Sequence, residues 1–190
     1  KNVAVGTGTV TVESQGLVVI PPVAATATGT VTDLTTYGVG AGLFSMPAGT
    51  ATNLETPSSA QFSFDYSIPS ATSTNYGGGI LAFGANGSPL PDLTSQNLTF
   101  RVTMPTGVKT LKVSVSDDVV VGTNADGTNR YRSVTLSFTG LDLGEYITIT
   151  KADLLRAASD FGFDTITSVS FVVDKNVAVG TGTVTVKSQG

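Results

Sequence analysis

The sequence predicts an all-β fold, an antiparallel β-sandwich with one short helix near residues 151–160. Three observations support this prediction. Short runs of residues alternate strictly between apolar and polar, as half-buried strands do in a sandwich or barrel. Gly, Pro, Asn and Asp separate these runs, as they do at turns. Charged residues make up only 13% of the 190 residues, while Gly, Thr, Ser and Val are abundant, as expected for strands with small polar faces.

Six segments alternate clearly, and each places its apolar residues on one face. In chain order, the segments and their inward residues are QFSFDYSI with Phe62, Phe64, Tyr66 and Ile68; LTFRVTM with Leu98, Phe100, Val102 and Met104; KTLKVSVSDD with Leu111, Val113 and Val115; SVTLSF with Val134, Leu136 and Phe138; YITIT with Ile147 and Ile149; and SVSFVVD with Val169, Phe171 and Val173. GGGILAFGA, at 77–85, predicts a further strand that the chain enters through a glycine bend.

The helix is predicted in TKADLLRAASDFG, directly after the YITIT segment. Thr150 can cap the free amides of the first turn, Asp153 stands three residues later, and Gly162 offers a left-handed stop. The apolar residues that this helix turns toward the sheet are Leu154, Leu155 and Ala158.

Several kinds of chemistry are excluded by residues that the sequence lacks. It contains no His, Cys or Trp, so Ser-His and Cys-His catalysis, HExxH zinc sites and disulfides are ruled out. The net charge of −4 and the scattered basic residues argue against nucleic-acid binding. No apolar run is long enough to cross a bilayer, so membrane insertion is not expected. We predict a protein that is not an enzyme, with no catalytic residues and no cofactor unless calcium binds.

The chain begins with KNVAVGTGTVTVESQG, at 1–16, and closes with KNVAVGTGTVTVKSQG, at 175–190. The two copies differ only at one position, where the first has Glu13 and the second has Lys187. Identity at all the other positions is far beyond chance. The apolar phase changes within each copy across GTG, where two glycines can absorb a bend or bulge. The predicted assembly strand is therefore the TVTV core of each copy, which comprises Thr9, Val10, Thr11 and Val12, and again Thr183, Val184, Thr185 and Val186.

The repeat suggests a division of the chain into three parts. Residues 1–16 are interpreted as the closing strand of a preceding repeat, or as a donated strand. Residues 17–30 form a linker and first strand, since LVVIPPVAATATG contains two prolines that cannot donate to a β-ladder. Residues 31–190 form the sandwich domain, which ends in its own copy of the closing strand.

The order of segments resembles a known family. LTFRV, LKVSVSDD, YRSVTLSF, GEYITITKADL, FDTITSVSFVVD and the final GTGTVTV are similar in order and pattern to the bacterial jelly-roll carbohydrate-binding modules of the galactose-binding-like class. The similarity covers roughly residues 60 to 187 and implies two packed antiparallel sheets, with the last strand paired close to the first. The chain departs from the family in two ways. Tyr146 stands where the family has a Trp, and the acidic calcium ligand common in the family's last strand is replaced by Lys187 or lies outside the similar region.

Two groups of residues are candidate ligand sites. The polar segment SDDVVVGTNADGTNRY could wrap calcium with oxygen ligands from Asp117, Asp118, Asn124 and Asp126, although Asp-Gly is by itself a hairpin signal and a plain loop is the alternative. Tyr76 and Tyr131 fit no inward alternation and could stack on a sugar ring, or simply lie at the edges of strands and turns.

The main functional prediction is a structural repeat of an extracellular or cell-surface fibre, stalk or adhesin, linked head-to-tail to near-identical repeats. One alternative is a carbohydrate-binding module of a secreted protein, with a polysaccharide as partner. Another is a filament subunit that assembles non-covalently, by donating its N-terminal strand to a neighbour's sheet. In the main prediction and in the filament, neighbouring copies of the same repeat are the expected partners.

Overall fold

The computed structural model describes residues 17–20, 34–58, 61–124, 127–141 and 145–188. Within these ranges the chain forms eleven strands and one α-helix, α1, which spans Lys151–Ala157. The strands are β1 Leu17–Ile20, β2 Gly40–Met46, β3 Ala51–Ser58, β4 Gln61–Ile68, β5 Tyr76–Ala82, β6 Leu98–Thr103, β7 Thr110–Thr123, β8 Asn129–Thr139, β9 Glu145–Ile149, β10 Ser168–Asp174 and β11 Gly180–Ser188.

The strands form two sheets. Sheet A has six strands in the order β1-β8-β7-β10-β5-β2, and sheet B has five in the order β3-β4-β11-β6-β9. The eight strands from β4 to β11 divide into β4-β11-β6-β9 and β5-β10-β7-β8, in which successive strands alternate between sheets except at the β7–β8 hairpin. This is the strand order of a jelly roll, built from two Greek keys, and it confirms the predicted antiparallel β-sandwich.

Three further strands lie at the sheet edges. Strand β2 pairs with β5, and β3 pairs with β4 through a register that shifts twice. Strand β1 runs parallel to β8, with Leu17 opposite Thr135 and Ile20 opposite Phe138. Strand β1 therefore points away from the β7–β8 hairpin, and Leu17 is its residue nearest to the hairpin end of the sandwich.

The core lies between the two sheets, as the alternation predicts. Every inward residue named for the six alternating segments is buried. Phe171 lies near the centre, with its ring 5.7 Å from that of Phe62 and 5.1 Å from that of Phe100, in edge-to-face contacts. The apolar faces of the two sheets therefore form one continuous core.

The prediction of a glycine bend before the GGGILAFGA strand is wrong. The glycines lie inside β5, where they pair with both β2 and β10. A Cβ at Gly79 would approach Phe62 Cε2 to 2.2 Å, and one at Gly78 would approach the Phe171 carbonyl oxygen to 1.9 Å. The run of glycines makes room for core rings and for the neighbouring backbone.

The helix begins as predicted but ends earlier. Thr150 Oγ1 accepts from the Asp153 amide, and the Asp153 carboxylate accepts from the Thr150 amide, which forms the predicted capping box. Leu154 is fully buried, as expected. The helix ends at Ala157, and Ala158 is extended with φ −150°, so Gly162 is not its stop. Gly162 instead donates its amide to Asp117 Oδ2 at 2.9 Å.

The closing strand lies in the middle of sheet B. Strand β11 pairs with β4 from Gly180 to Lys187 and with β6 from Thr185 to Ser188. A five-residue turn joins the end of β10 to the start of β11, where Gly180 adopts φ 96° and accommodates the change of apolar phase. Because β11 starts at the end of the sandwich opposite the hairpin, it runs back toward the hairpin end.

Candidate functional site

A groove crosses the outer face of sheet A. The same alternation that buries the valines of β7, β8 and β10 turns small hydroxyl side chains outward. Five of these residues line a groove of about 680 Å³; they are Ser114, Ser116, Ser133, Thr135 and Ser170. Because Ser and Thr side chains are short, they leave space above the middle of the sheet, which forms the floor of the groove. Each hydroxyl can donate or accept a hydrogen bond.

An ion pair lies in the groove. Lys112, from β7, donates from Nζ to Asp174 Oδ2, from β10, at 2.5 Å. Both side chains are partly buried, with 18% and 22% of their surface exposed. The second carboxylate oxygen of Asp174 accepts from the Asn176 amide at 2.8 Å, so the carboxylate is held in one orientation.

Apolar side chains form the side of the groove over β2 and β5. Tyr76 keeps 45% of its surface exposed and lies directly opposite Asp174 in the β5–β10 pairing. Phe44 lies opposite Gly78, and a Cβ at Gly78 would be 3.0 Å from Phe44 Cζ, so the ring covers a position without a side chain. Ile80 and Val172 complete this side. The groove thus has a hydroxyl-lined half and an aromatic half.

Two short connections form the rim. The segment before β5 contributes Ser73, Thr74 and Asn75, and Ser73 Oγ accepts from the Asn75 amide at 3.0 Å. The turn after β10 contributes Lys175, which is exposed. Both connections lie at the end of the sandwich opposite the β7–β8 hairpin.

The two predicted sugar-stacking tyrosines lie far apart. Tyr76 lines the groove, whereas Tyr131 lies on β8 opposite Val120, close to the hairpin, and is not among the groove-lining residues. Tyr131 is 39% exposed, and Val119, Val120 and Val121 near it are also exposed. At about 3.3 Å per residue, most of the length of β7 separates the two rings. A role for Tyr131 in sugar binding stays a prediction.

Asp117, one of the predicted calcium ligands, is bound by protein donors. Asp117 is fully buried, and its carboxylate accepts from Arg132 Nε at 2.7 Å, from the Gly162 amide, and from the Val119 amide at 3.0 Å. The hydrogen bond to Asp117 raises the pKa of the Arg132 guanidinium. Arg132 NH1 also reaches Asp160 Oδ2 at 2.7 Å.

Asp118 and Asn124, two further predicted calcium ligands, have hydrogen-bond partners different from those of Asp117. Asp118 Oδ1 accepts from Thr165 Oγ1 at 2.8 Å, and Asn124 Nδ2 donates to Thr128 Oγ1 at 3.0 Å. Asp126 lies outside the described residues. In the part of the chain that the structure describes, no three acidic side chains are grouped to hold a metal ion. The calcium site therefore stays a prediction.

Of the two copies of the predicted assembly strand, the structure describes the C-terminal one. Thr183, Val184, Thr185 and Val186 lie in β11, and the two valines are buried between the sheets. Thr183 Oγ1 donates to Asp65 Oδ1 at 2.6 Å, and this bond, with one from Asn53, lowers the pKa of Asp65. The matching residues Thr9, Val10, Thr11 and Val12 lie outside the described residues.

Sequence reasoning missed the centre of the groove. Alternation does place Lys112 and Asp174 on the outer faces of their strands, because Val113 and Val173 point inward. The presence of two opposite charges on outer strand faces was the one sequence feature that could have indicated this ion pair. They are 62 residues apart in the chain, however, and nothing local indicates that β7 and β10 are neighbours. Phe44 was missed because β2 shows no clear alternation.

Comparison with known proteins adds solved structures of similar shape. No protein-family model and no curated protein sequence matches the chain. The alignment with a family 30 carbohydrate-binding module covers 79% of this chain and 91% of the module, at 15% identity and a TM-score of 0.44. The family 11 carbohydrate-binding module of the cellulosomal cellulase Lic26A-Cel5E of Clostridium thermocellum aligns with 77% and 84%, at 14% identity and a TM-score of 0.40.

An enzyme domain is similar to the same degree. The xyloglucanase domain of NopAA from Sinorhizobium fredii covers 78% of this chain and 95% of its own, at 10% identity and a TM-score of 0.40. At such low identities and TM-scores, these similarities do not assign a ligand. The strand order identifies the jelly-roll fold, and the groove is the feature that bears on function.

Proposed function

We propose that this chain is a carbohydrate-binding module that holds a polysaccharide along the groove of sheet A. The observation that carries the proposal is the groove itself, which is lined by the exposed side chain of Tyr76, by small hydroxyl residues and by one oriented ion pair. Ligand sites combine apolar walls with a few fixed polar groups in this way. A sugar ring offers the matching surfaces, with C–H bonds on its faces and hydroxyls around its rim.

Each side of the groove supplies one part of the recognition. Tyr76 presents its ring to one face of a sugar, and its hydroxyl remains in water. Ser114, Ser170 and Thr135 can donate to or accept from sugar hydroxyls. Lys112 and Asp174 are held in place by each other, so they can offer a donor and an acceptor without losing much conformational freedom on binding.

The proposal is for binding without catalysis. Glycoside hydrolysis ordinarily needs two carboxyl groups, between about 5 and 9.5 Å apart, on either side of the scissile bond. Of the groove-lining residues, all of which lie in the described part of the chain, Asp174 is the one that carries a carboxylate. A single carboxylate that is paired with a lysine does not provide both the acid and the base.

The test is binding of the purified chain to a panel of soluble polysaccharides, measured by affinity electrophoresis and then by calorimetry on the best ligand. We expect saturable binding that Tyr76→Ala weakens by about tenfold or more, since the loss of an aromatic contact of about 1.5 kcal/mol corresponds to that factor. Tyr131→Ala is the matched control and should bind as the unchanged protein does. Loss of binding in Tyr131→Ala alone, or no binding to any member of the panel, would contradict the proposal.

A second candidate function is a structural repeat of a fibre, stalk or adhesin. The observation that favours it is the position of β11, which already has neighbours on both sides, β4 and β6. The N-terminal copy of this strand cannot occupy the same place while Gly180–Ser188 fills it. In this proposal, residues 1–16 belong to the sheet of a neighbouring copy, either in a covalent array or by strand donation.

The two forms of this second candidate differ in chain length. A denaturing gel of the native material separates them: one very large band or a ladder supports a covalent array, whereas a band at the mass of a single 190-residue chain that still forms filaments supports donation. Monomers of single-chain mass that form no assembly would contradict both.

An extracellular or cell-surface location is part of both proposals. The composition, rich in Thr, Ser and Gly and free of Cys, is common in secreted bacterial proteins. Among the described residues, no helix has the length and apolar character that a membrane span requires. Detection of the native protein outside the cell, by surface proteolysis or fractionation, tests this location.

A further inference from the structure

The charges of the groove do not balance. Three of its lining residues are charged, namely Lys112, Asp174 and Lys175. Asp174 accepts from Lys112 Nζ at one carboxylate oxygen and from the Asn176 amide at the other. Lys112 and Asp174 therefore neutralise each other, and the charge that the groove presents to a ligand is that of Lys175.

The backbone of Lys175 lies in a hydrogen-bonded turn, and its side chain has no partner among the described residues. It lies in the turn in which the Asp174 carbonyl oxygen accepts from the Val177 amide at 2.9 Å and from the Ala178 amide at 3.0 Å. Its side chain is exposed, and no hydrogen bond or ion pair joins it to any residue that the structure describes. The whole chain carries a net charge of −4, so the groove has the opposite sign to the protein around it.

Lys175 is the residue next to the position opposite Tyr76, and both side chains line the groove. Asp174 is directly opposite Tyr76, on a neighbouring strand, and adjacent strands are about 4.8 Å apart. Lys175 follows Asp174, and its flexible four-carbon stem lets the ammonium reach over a ring stacked on Tyr76. An anionic substituent on that ring would form a charge-assisted hydrogen bond there.

We propose that the groove selects anionic polysaccharides, in which sugar rings carry carboxylate or sulfate groups, and that Lys175 is the residue that recognises the anion. This inference rests on the proposed carbohydrate-binding function and adds the class of ligand. The net positive groove attracts an acidic polymer, while the net negative charge of the chain as a whole opposes general attraction of such a polymer to the protein.

The experiment compares polymers that differ only in charge. The probes are polygalacturonate and its carboxyl-reduced form, and dextran sulfate and dextran, each titrated into the full chain by calorimetry at 50 mM and 300 mM salt. Binding to at least one charged polymer should be about tenfold tighter than to its neutral counterpart, because a hydrogen bond to a charged group contributes at least about 1.4 kcal/mol. The preference should shrink at the higher salt, where screening is stronger.

Two lysine variants distinguish recognition from general attraction. Lys175→Gln removes the charge and keeps most of the stem, and it should abolish the preference for the charged polymer. Lys187→Gln removes the same charge from the outer face of sheet B, where Lys187 is exposed, and should leave the preference unchanged. Comparing the affinity for polygalacturonate with that for dextran sulfate shows whether the groove prefers carboxylate or sulfate groups.

The outcomes separate this inference from the proposed function. If the chain binds the neutral polymers as tightly as the charged ones, or if Lys187→Gln and Lys175→Gln behave alike, anionic selection is overturned while groove binding stands. If neither polymer pair binds and the wider neutral panel also fails, both proposals are wrong. If polygalacturonate or dextran sulfate binds and the preference disappears only in Lys175→Gln, the inference is supported.

Discussion

The buried carboxylate of Asp117 gives the sharpest test of how the hairpin is attached to the rest of the sandwich. Asp117 is fully buried and accepts from the Arg132 guanidinium and from the amides of Val119 and Gly162. Asp117→Ala leaves all of these donors without their acceptor. Removing one partner of a buried ion pair costs about 3–5 kcal/mol.

The lower end of that range applies here. Arg132 is 19% exposed and keeps its contact with Asp160, so part of its charge remains solvated and paired. We therefore expect Asp117→Ala to lower the free energy of unfolding by about 3 kcal/mol, which is a fall in Tm of about 6–12 °C for a domain of this size.

Urea unfolding followed by circular dichroism measures this change. The midpoint should fall while the slope with denaturant stays the same, because the folded state remains compact. Asp160→Ala is the matched control: it removes the other acidic partner of Arg132, but Asp160 is 79% exposed, and the cost should stay below about 1 kcal/mol. Equal effects of the two substitutions, or a loss below about 1 kcal/mol for Asp117→Ala, would refute the reasoning.

Three further predictions concern the core, the closing strand and calcium. Gly79→Ala should destabilise the fold by about 1–3 kcal/mol in urea unfolding, because its Cβ would overlap the ring of Phe62, whereas a Cβ at Gly40, in β2, meets no atom within 4 Å, so Gly40→Ala is the control for replacing a strand glycine. Lys187→Glu should stabilise by about 0.2–1 kcal/mol in thermal unfolding, because Lys187 stands directly opposite Arg101, and like charges across a strand pair repel; a lower Tm would contradict this. Excess EDTA should leave Tm unchanged, because protein donors already occupy the carboxylate at position 117; a fall in Tm that calcium reverses would instead support the predicted calcium site.

Six strands were predictable because their pattern is local. In β4, β6, β7, β8, β9 and β10 an apolar residue recurs at every second position along the part that faces the core, and this period assigns the buried face. The capping box of α1 is also local, since Thr150 and Asp153 are three residues apart. In such segments, propensity, pattern and tertiary packing favour the same structure.

The edge strands and the site depend on contacts that the sequence does not display. Strands β2 and β3 lie at sheet edges, where burial is incomplete and the β3–β4 register shifts twice, so they lack a clean alternation. The local rule for helix ends fits Gly162, whereas in the structure its amide donates a hydrogen bond to Asp117, 45 residues away. The groove requires the register of β7 with β10, which is set by the whole core.

The directions of β1 and β11 have a consequence for any array of such domains. Leu17 is the residue of β1 nearest to the hairpin end of the sandwich, and Ser188, the last residue of β11, lies toward that same end. In a tandem array, both connections would therefore join each domain at its hairpin end, and the domains would project side by side from the connecting chain. The opposite end of each domain would carry Tyr76 and Lys175. Neighbouring domains would then present their grooves in a row, and several weak contacts with one polymer would together give tight binding.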